Sequence, residues 1–173
     1  GTQFRIWATE RLREYLIKGF TMNDELLKQG GGYFEELLDR IRDIRSSEKL
    51  FYRKVLEIYA TSIDYDPRTD ITQKFFQTVQ NKLHWAAHGH TAAEVIFQRA
   101  NAELPFMGLT AFKGKKPTKQ ETIIAKNYLT EEELALLNRL VSAYLDIAEI
   151  NAIQQKPMYM KEWIEVLDGF ISM

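Results

Sequence analysis

The segment YFEELLDRIRDIRSSEKLFYRKVLEI, from Tyr33 to Ile58, carries the most regular apolar pattern in the chain. Leu37, Ile41, Ile44, Phe51, Val55 and Ile58 recur at three- and four-residue spacing, with Glu48 as the polar member of the same seam. That period belongs to a helix that packs along one stripe, and a sustained heptad-like seam points to a neighbouring helix as its cover. The spacing predicts one long helix over about 33–62, bent near Ser46-Ser47. A carboxylate at the Glu48 position needs an arginine or lysine beside it.

Similar patterns extend in both directions. A first helix is expected over about 3–20, with Thr2 as cap, Gly19 near its end and Phe4, Trp7, Leu12, Tyr15, Leu16 and Phe20 inside. Thr21 and Asp24 open a short second helix that Gly30-Gly31-Gly32 breaks. Tyr65-Asp66-Pro67 reads as a turn, because the residue before proline is pushed out of the α region. Asp70 then caps a helix over about 71–88, closed by Gly89. Three threonine-led capping boxes follow, Thr91 with Glu94, Thr118 with Glu121 and Thr130 with Glu133. The first opens a helix to about Ala102 and the last opens one over about 131–154, which Pro157 stops. Leu104–Leu109 reads as a buried non-helical crossing, and a last helix is expected over about 159–172 around Trp163. The fold class is all-α: a multi-helix bundle with two or three long antiparallel helices, in a single domain over 1–173.

Composition removes whole classes of function. The net charge of -1 gives no global attraction to nucleic acid or anionic membrane, so such a site must be a local patch. With no cysteine, thiolate metal sites, disulfides and thiol catalysis are excluded. No apolar run approaches the ~18 residues that span a bilayer, and a cytoplasmic location is expected. The chain starts at Gly1 and ends at Met173 inside an amphipathic pattern, so it is expected to be a piece of a longer protein.

Several strings together resemble the RhuM family of bacterial virulence-associated proteins. They include Thr2–Thr9, Tyr33–Arg45, Ile58–Pro67, Thr78–Gly89, Met107–Thr110, Ile124–Leu129 and Lys156–Met160, and they span essentially the whole chain. The resemblance implies a DNA-associated bacterial protein whose full-length relatives carry an additional N-terminal helix-turn-helix-like segment. Some relatives are joined to Fic-type domains. The Fic signature is absent here, since His88-Gly89-His90 lacks the phosphate-cradling glycines and the arginine. The resemblance therefore supplies no catalytic residues. The long heptad-patterned helices are expected to pair between protomers, which favours an interaction and oligomerisation domain and a homo-oligomer, with DNA expected to be read by the absent N-terminal segment that the resemblance implies.

Three groups of residues carry chemistry of their own. All three histidines lie within seven residues. His84 and His88 share a helix face at i, i+4, the spacing of a two-histidine metal grip, with Glu94 as third ligand and Asp64 or Asp66 as further candidates. The same two histidines are the candidates for acid–base catalysis. The blander reading places His88 and His90 on the carbonyl end of the helix and leaves Glu94 to its capping box. A polar ridge, Gln77, Asn81, His84 and His88, climbs that helix. The second group is a basic loop, Lys113, Lys115, Lys116 and Lys119, followed by Lys126, which either grips phosphate or is simply solvated. The third is Arg40, Arg42, Arg45 and Lys49, read chiefly as salt links to nearby acids. No cofactor is expected from the sequence beyond a divalent metal on the histidines. The alternative to an interaction domain is an enzyme centred on His84 and His88, acting on a phosphate or nucleotide held by the lysine loop.

Overall fold

The computed structural model of the chain describes residues 1–66 and 70–173, and for Glu48 the backbone alone. The Pro67 turn and the partner expected for the Glu48 carboxylate lie outside these described residues. Eight α-helices and no strand occur among them. They are α1 (Thr2–Lys18), α2 (Asp24–Lys28), α3 (Gly32–Arg45), α4 (Glu48–Tyr59), α5 (Ile71–His88), α6 (Ala92–Arg99), α7 (Glu131–Ile153) and α8 (Met160–Ile171). Short 3₁₀ turns stand at Pro105–Gly108, Glu121–Ile123 and Ala125–Tyr128. The chain forms two compact units, Gly1–Leu38 and Asp39–Met173.

The second unit holds the hydrophobic core. Its buried side chains come from α4 to α8 and the turns between them, among them Val79, Leu83, Tyr128, Leu145, Trp163 and Leu167. Helix α5 packs on α4, α6, α7 and α8, and α7 packs on α4 and α8. Burying a large side chain contributes about 1.5–3 kcal/mol, so this cluster is where the unit gains its stability. The Trp163 ring is buried, and its Nε1–H donates to Ser62 Oγ at 3.0 Å. Met160 and Trp163, at the start of α8, therefore belong to the core.

The long helix expected over 33–62 is two helices. Ser47 adopts an extended conformation (φ -60°, ψ 135°) and starts α4 afresh. Ser47 Oγ donates to Ile44 O at 2.7 Å, so one carbonyl at the end of α3 gains a side-chain donor, and Ser46 Oγ lies 3.1 Å from Asp43 O. The interruption resets the helical phase. Phe51, Val55 and Ile58 are buried, whereas Ile41 and Ile44 are 42% and 53% exposed.

The first unit behaves differently from its reading. Helix α1 starts from Gly1 rather than from a Thr2 cap, and none of its residues is buried. Asn23 caps α2 in place of Thr21, its Oδ1 accepting from Leu26 N at 3.1 Å. The Leu104–Leu109 crossing is non-helical as read, with Phe106, Met107 and Gly108 in succession at positive φ (55°, 61° and 82°). It is not buried, however: Leu104, Phe106 and Met107 are exposed and only Leu109 is buried. At Gly108 a Cβ would stand 2.5 Å from Arg99 O. The capping boxes at Thr91 and Thr130 form as read, whereas Asp70 gives α5 no side-chain cap. No helix among the described residues is long and apolar enough to cross a membrane.

Candidate functional site: a cavity beside His84

The polar ridge of α5 borders a cavity. Gln77, Asn81 and His84 line it together with Gln80, and its volume is about 1130 Å³. The end of α3 and start of α4 contribute Asp43, Ser46, Ser47 and Phe51. The segment after α6 contributes Phe112, Lys113, Glu121, Lys126 and Asn127, and α7 closes the wall with Leu134, Leu137 and Val141. All of these residues belong to the second unit.

A closed polar ring sits in this wall. Lys126 Nζ donates to Asp43 Oδ1 at 2.9 Å and to Ser46 Oγ at 2.8 Å. Ser46 in turn donates to Asn138 Oδ1, and Asn138 Nδ2 reaches Asp43 Oδ1 at 3.4 Å. Ser46 and Asn138 are buried, which such groups tolerate only when bonded in this way. The ammonium has three N–H donors, and the ring uses two. Arg45 ties the same end of α3 to α7, at 2.9 Å from Asp146 and 3.8 Å from Glu149. Arg42 pairs with Asp39 at 3.0 Å.

His84 is buried, and its Nδ1 lies 3.0 Å from His88 Nε2, so one ring donates and the other accepts. Burial first, then the nearby His88 and Lys126, pushes the His84 imidazole down to about 4. His84 is therefore neutral at neutral pH. Burial also lowers His88, whose Nδ1 is buried without a hydrogen-bond partner among the described residues. Beside it stands a two-toothed ion pair: Arg99 donates to both Glu133 oxygens, at 2.6 and 2.7 Å, and to Tyr128 O at 2.9 Å. The Arg99 bonds hold the Glu133 carboxyl at about 2.

The candidate ligands separate. His84 and His88 are brought together. Glu94 is engaged by Thr91, accepting from its N–H at 2.7 Å and its Oγ–H at 2.8 Å. His90 Nδ1 faces His88 O at 3.0 Å, as the carbonyl-end reading expects. Asp64 accepts from Met160 N at 2.8 Å. Among the described residues no three His, Asp or Glu side chains are grouped so as to hold a metal ion. Of the loop lysines, Lys113 borders the cavity, and Lys115, Lys116 and Lys119 are not part of its wall.

Asp43, Ser46 and Asn138 went unread in the sequence as site residues. The only local sign was the Ser46-Ser47 break, because the ring joins residues 80 to 95 positions apart.

The hydrogen-bonding capacity left over is rich in donors. Glu121 already accepts from Lys113 N at 2.6 Å and from Thr118 N and Oγ at 2.7 and 2.8 Å. Asp43 Oδ1 is held by Lys126 and Asn138. By contrast, Lys126 keeps a third N–H, and Lys113 makes no ion pair among the described residues. A neutral imidazole can add a donor or an acceptor according to its tautomer.

No curated protein and no solved structure is significantly similar to the chain. The profile of the Virulence protein RhuM family matches residues 1–173, the same length over which the sequence strings recur. By that match the chain belongs to the RhuM family of virulence proteins.

Proposed function

We propose that this virulence-family chain binds a phosphate-bearing small molecule in the cavity beside His84, in the cytoplasm. The observation that carries the reading is the donor set of the wall: Glu121 is engaged by protein donors, while Lys113 makes no ion pair among the described residues and Lys126 keeps one N–H beyond its bonds to Asp43 and Ser46. Cationic donors in a partly apolar cavity are worth more to an oxyanion than the same donors in water. The volume of about 1130 Å³ is slightly above the ~300–1,000 Å³ usual for small-molecule sites. His84 and His88 remain the candidates for proton transfer, if the bound molecule is turned over. Calorimetric titration with inorganic phosphate and pyrophosphate tests the reading. Binding that weakens at least about tenfold in Lys126→Met supports it. Equal heats for the wild type and Lys126→Met would count against it.

A second reading is favoured by a different observation. Helix α1 carries Phe4, Trp7, Leu12, Tyr15 and Leu16, and all are more than half exposed. An exposed apolar face of this kind marks an interaction surface. This supports an interaction or oligomerisation role. Its test is the mass in solution across a dilution series.

A further inference from the structure

We propose that the ligand of this cavity is a nucleoside phosphate, its phosphate at the His84–Lys126 level and its base against the amides of Gln77 and Gln80. The proposal rests on the reading of the cavity as a phosphate site and names the molecule that carries the phosphate.

Three features of the wall argue for it. First, Lys126, His84 and both glutamines border the same cavity, and Gln80 stands one turn before His84 on α5. Gln77 precedes His84 by seven residues on the same face, which is two turns, or about 10 Å along the axis. That separation is of the order of the distance from phosphorus to the far edge of the base in a nucleoside 5′-monophosphate.

Second, the amides suit a base and not an oxyanion. Each glutamine amide offers a donor pair and an acceptor side by side, the pattern that reads a nucleobase edge. A plain phosphate would use donors alone. Gln77 and Gln80 border the cavity, and neither side chain is engaged by another residue among those described. Asn81, between them and His84, is held in place by Ala92 N, which donates to its Oδ1 at 3.4 Å.

Third, the cavity wall is partly apolar and aromatic. Phe51 and Phe112 line it, with Ile96 and Leu134. A planar ring buries its faces there, and the volume accommodates base, sugar and phosphate together. Inorganic phosphate or a sugar phosphate would leave this surface wet.

The test is titration of the whole chain, by calorimetry, with the ribonucleoside 5′-monophosphates, ribose 5-phosphate, the free nucleosides and inorganic phosphate. At least one nucleotide is expected to bind tenfold or more tightly than ribose 5-phosphate and than its own nucleoside. The double variant Gln77→Ala with Gln80→Ala, at half-buried or exposed positions, should bring that nucleotide down to the ribose 5-phosphate level while leaving inorganic phosphate unchanged. Ribose 5-phosphate binding as tightly as every nucleotide would overturn the base assignment and leave the phosphate site standing. Nucleosides binding as tightly as nucleotides would keep the base contacts and remove the phosphate site. If no compound binds, both readings fail.

Discussion

The Lys126 ammonium lies 2.8 Å from the Ser46 hydroxyl, and through that bond the break between α3 and α4 is fastened to the segment that walls the cavity. Asp43 and Asn138 complete the ring, so the donor proposed to meet a phosphate and the contacts holding the break in place are the same group. Losing the lysine should therefore be felt in both binding and stability.

Lys126→Met removes an ion pair whose acid is largely exposed, and it leaves the buried Ser46 and Asn138 to bond each other. The expected loss is modest, about 1 kcal/mol in urea unfolding, because exposed pairs contribute little. A much larger loss would mean the lysine is chiefly structural.

Stability should fall as pH drops below neutrality. The folded His84 is pushed down to about 4 from an ordinary 6.5, so between those values the unfolded chain binds the proton first. The histidine contribution is complete above pH 6.5 and is lost as pH falls towards 4, by up to about 1.4 kcal/mol per unit. The groups around the pair are Lys126 at His84, and Glu133, Arg99 and His90 at His88. His84→Gln should flatten the slope between pH 6.5 and 5 in thermal melts. An unchanged slope would show that His84 is not the titrating group.

A second acid transition belongs to Glu133. Its carboxyl is held at about 2 by Arg99, so its contribution is present above pH 4.5 and disappears as pH falls towards 2. Arg99→Leu should cost roughly 1–3 kcal/mol at pH 7, the range for charge-assisted bonds, and should remove that low-pH transition. Denaturant titrations at pH 7 and 3 read both effects.

Gly108→Ala should destabilise by at least about 2 kcal/mol. The position has φ +82°, and the added Cβ would meet Arg99 O at 2.5 Å. Because Arg99 also holds Glu133 beside His88, the same substitution should disturb His88 resonances in NMR spectra.

If α1 mediates self-association, Leu12→Glu with Leu16→Glu should shift the chain to a lower mass in light scattering. Both side chains are well exposed, at 64% and 81%, so the variant should keep its helical circular dichroism. A monomer in the unmodified chain at all concentrations would remove the self-association reading.

The helical class was legible in the sequence because apolar spacing and threonine caps are local signals. Thr130 with Glu133 placed the start of α7, and Gly89 placed the end of α5. The 33–62 seam misled where Ser47 could satisfy a carbonyl of α3 and let the chain restart there. The cavity was half legible. His84, Lys113 and the Gln77–Asn81 ridge were marked by residue type, and they do share one wall. Asp43, Ser46 and Asn138 were not, because their meaning lies in contacts between distant segments. Glu94 was marked by spacing to the histidines, yet its capping bond to Thr91 was the stronger local demand.

The most direct test of the phosphate site is a residue-by-residue NMR titration of the chain with inorganic phosphate. Shifts should concentrate at Lys113, Lys126, His84 and their neighbours, and saturate at roughly 1 mM or below. Shifts confined to Lys115, Lys116 and Lys119 without saturation would reveal only a solvated basic loop, and would contradict the assignment of the cavity.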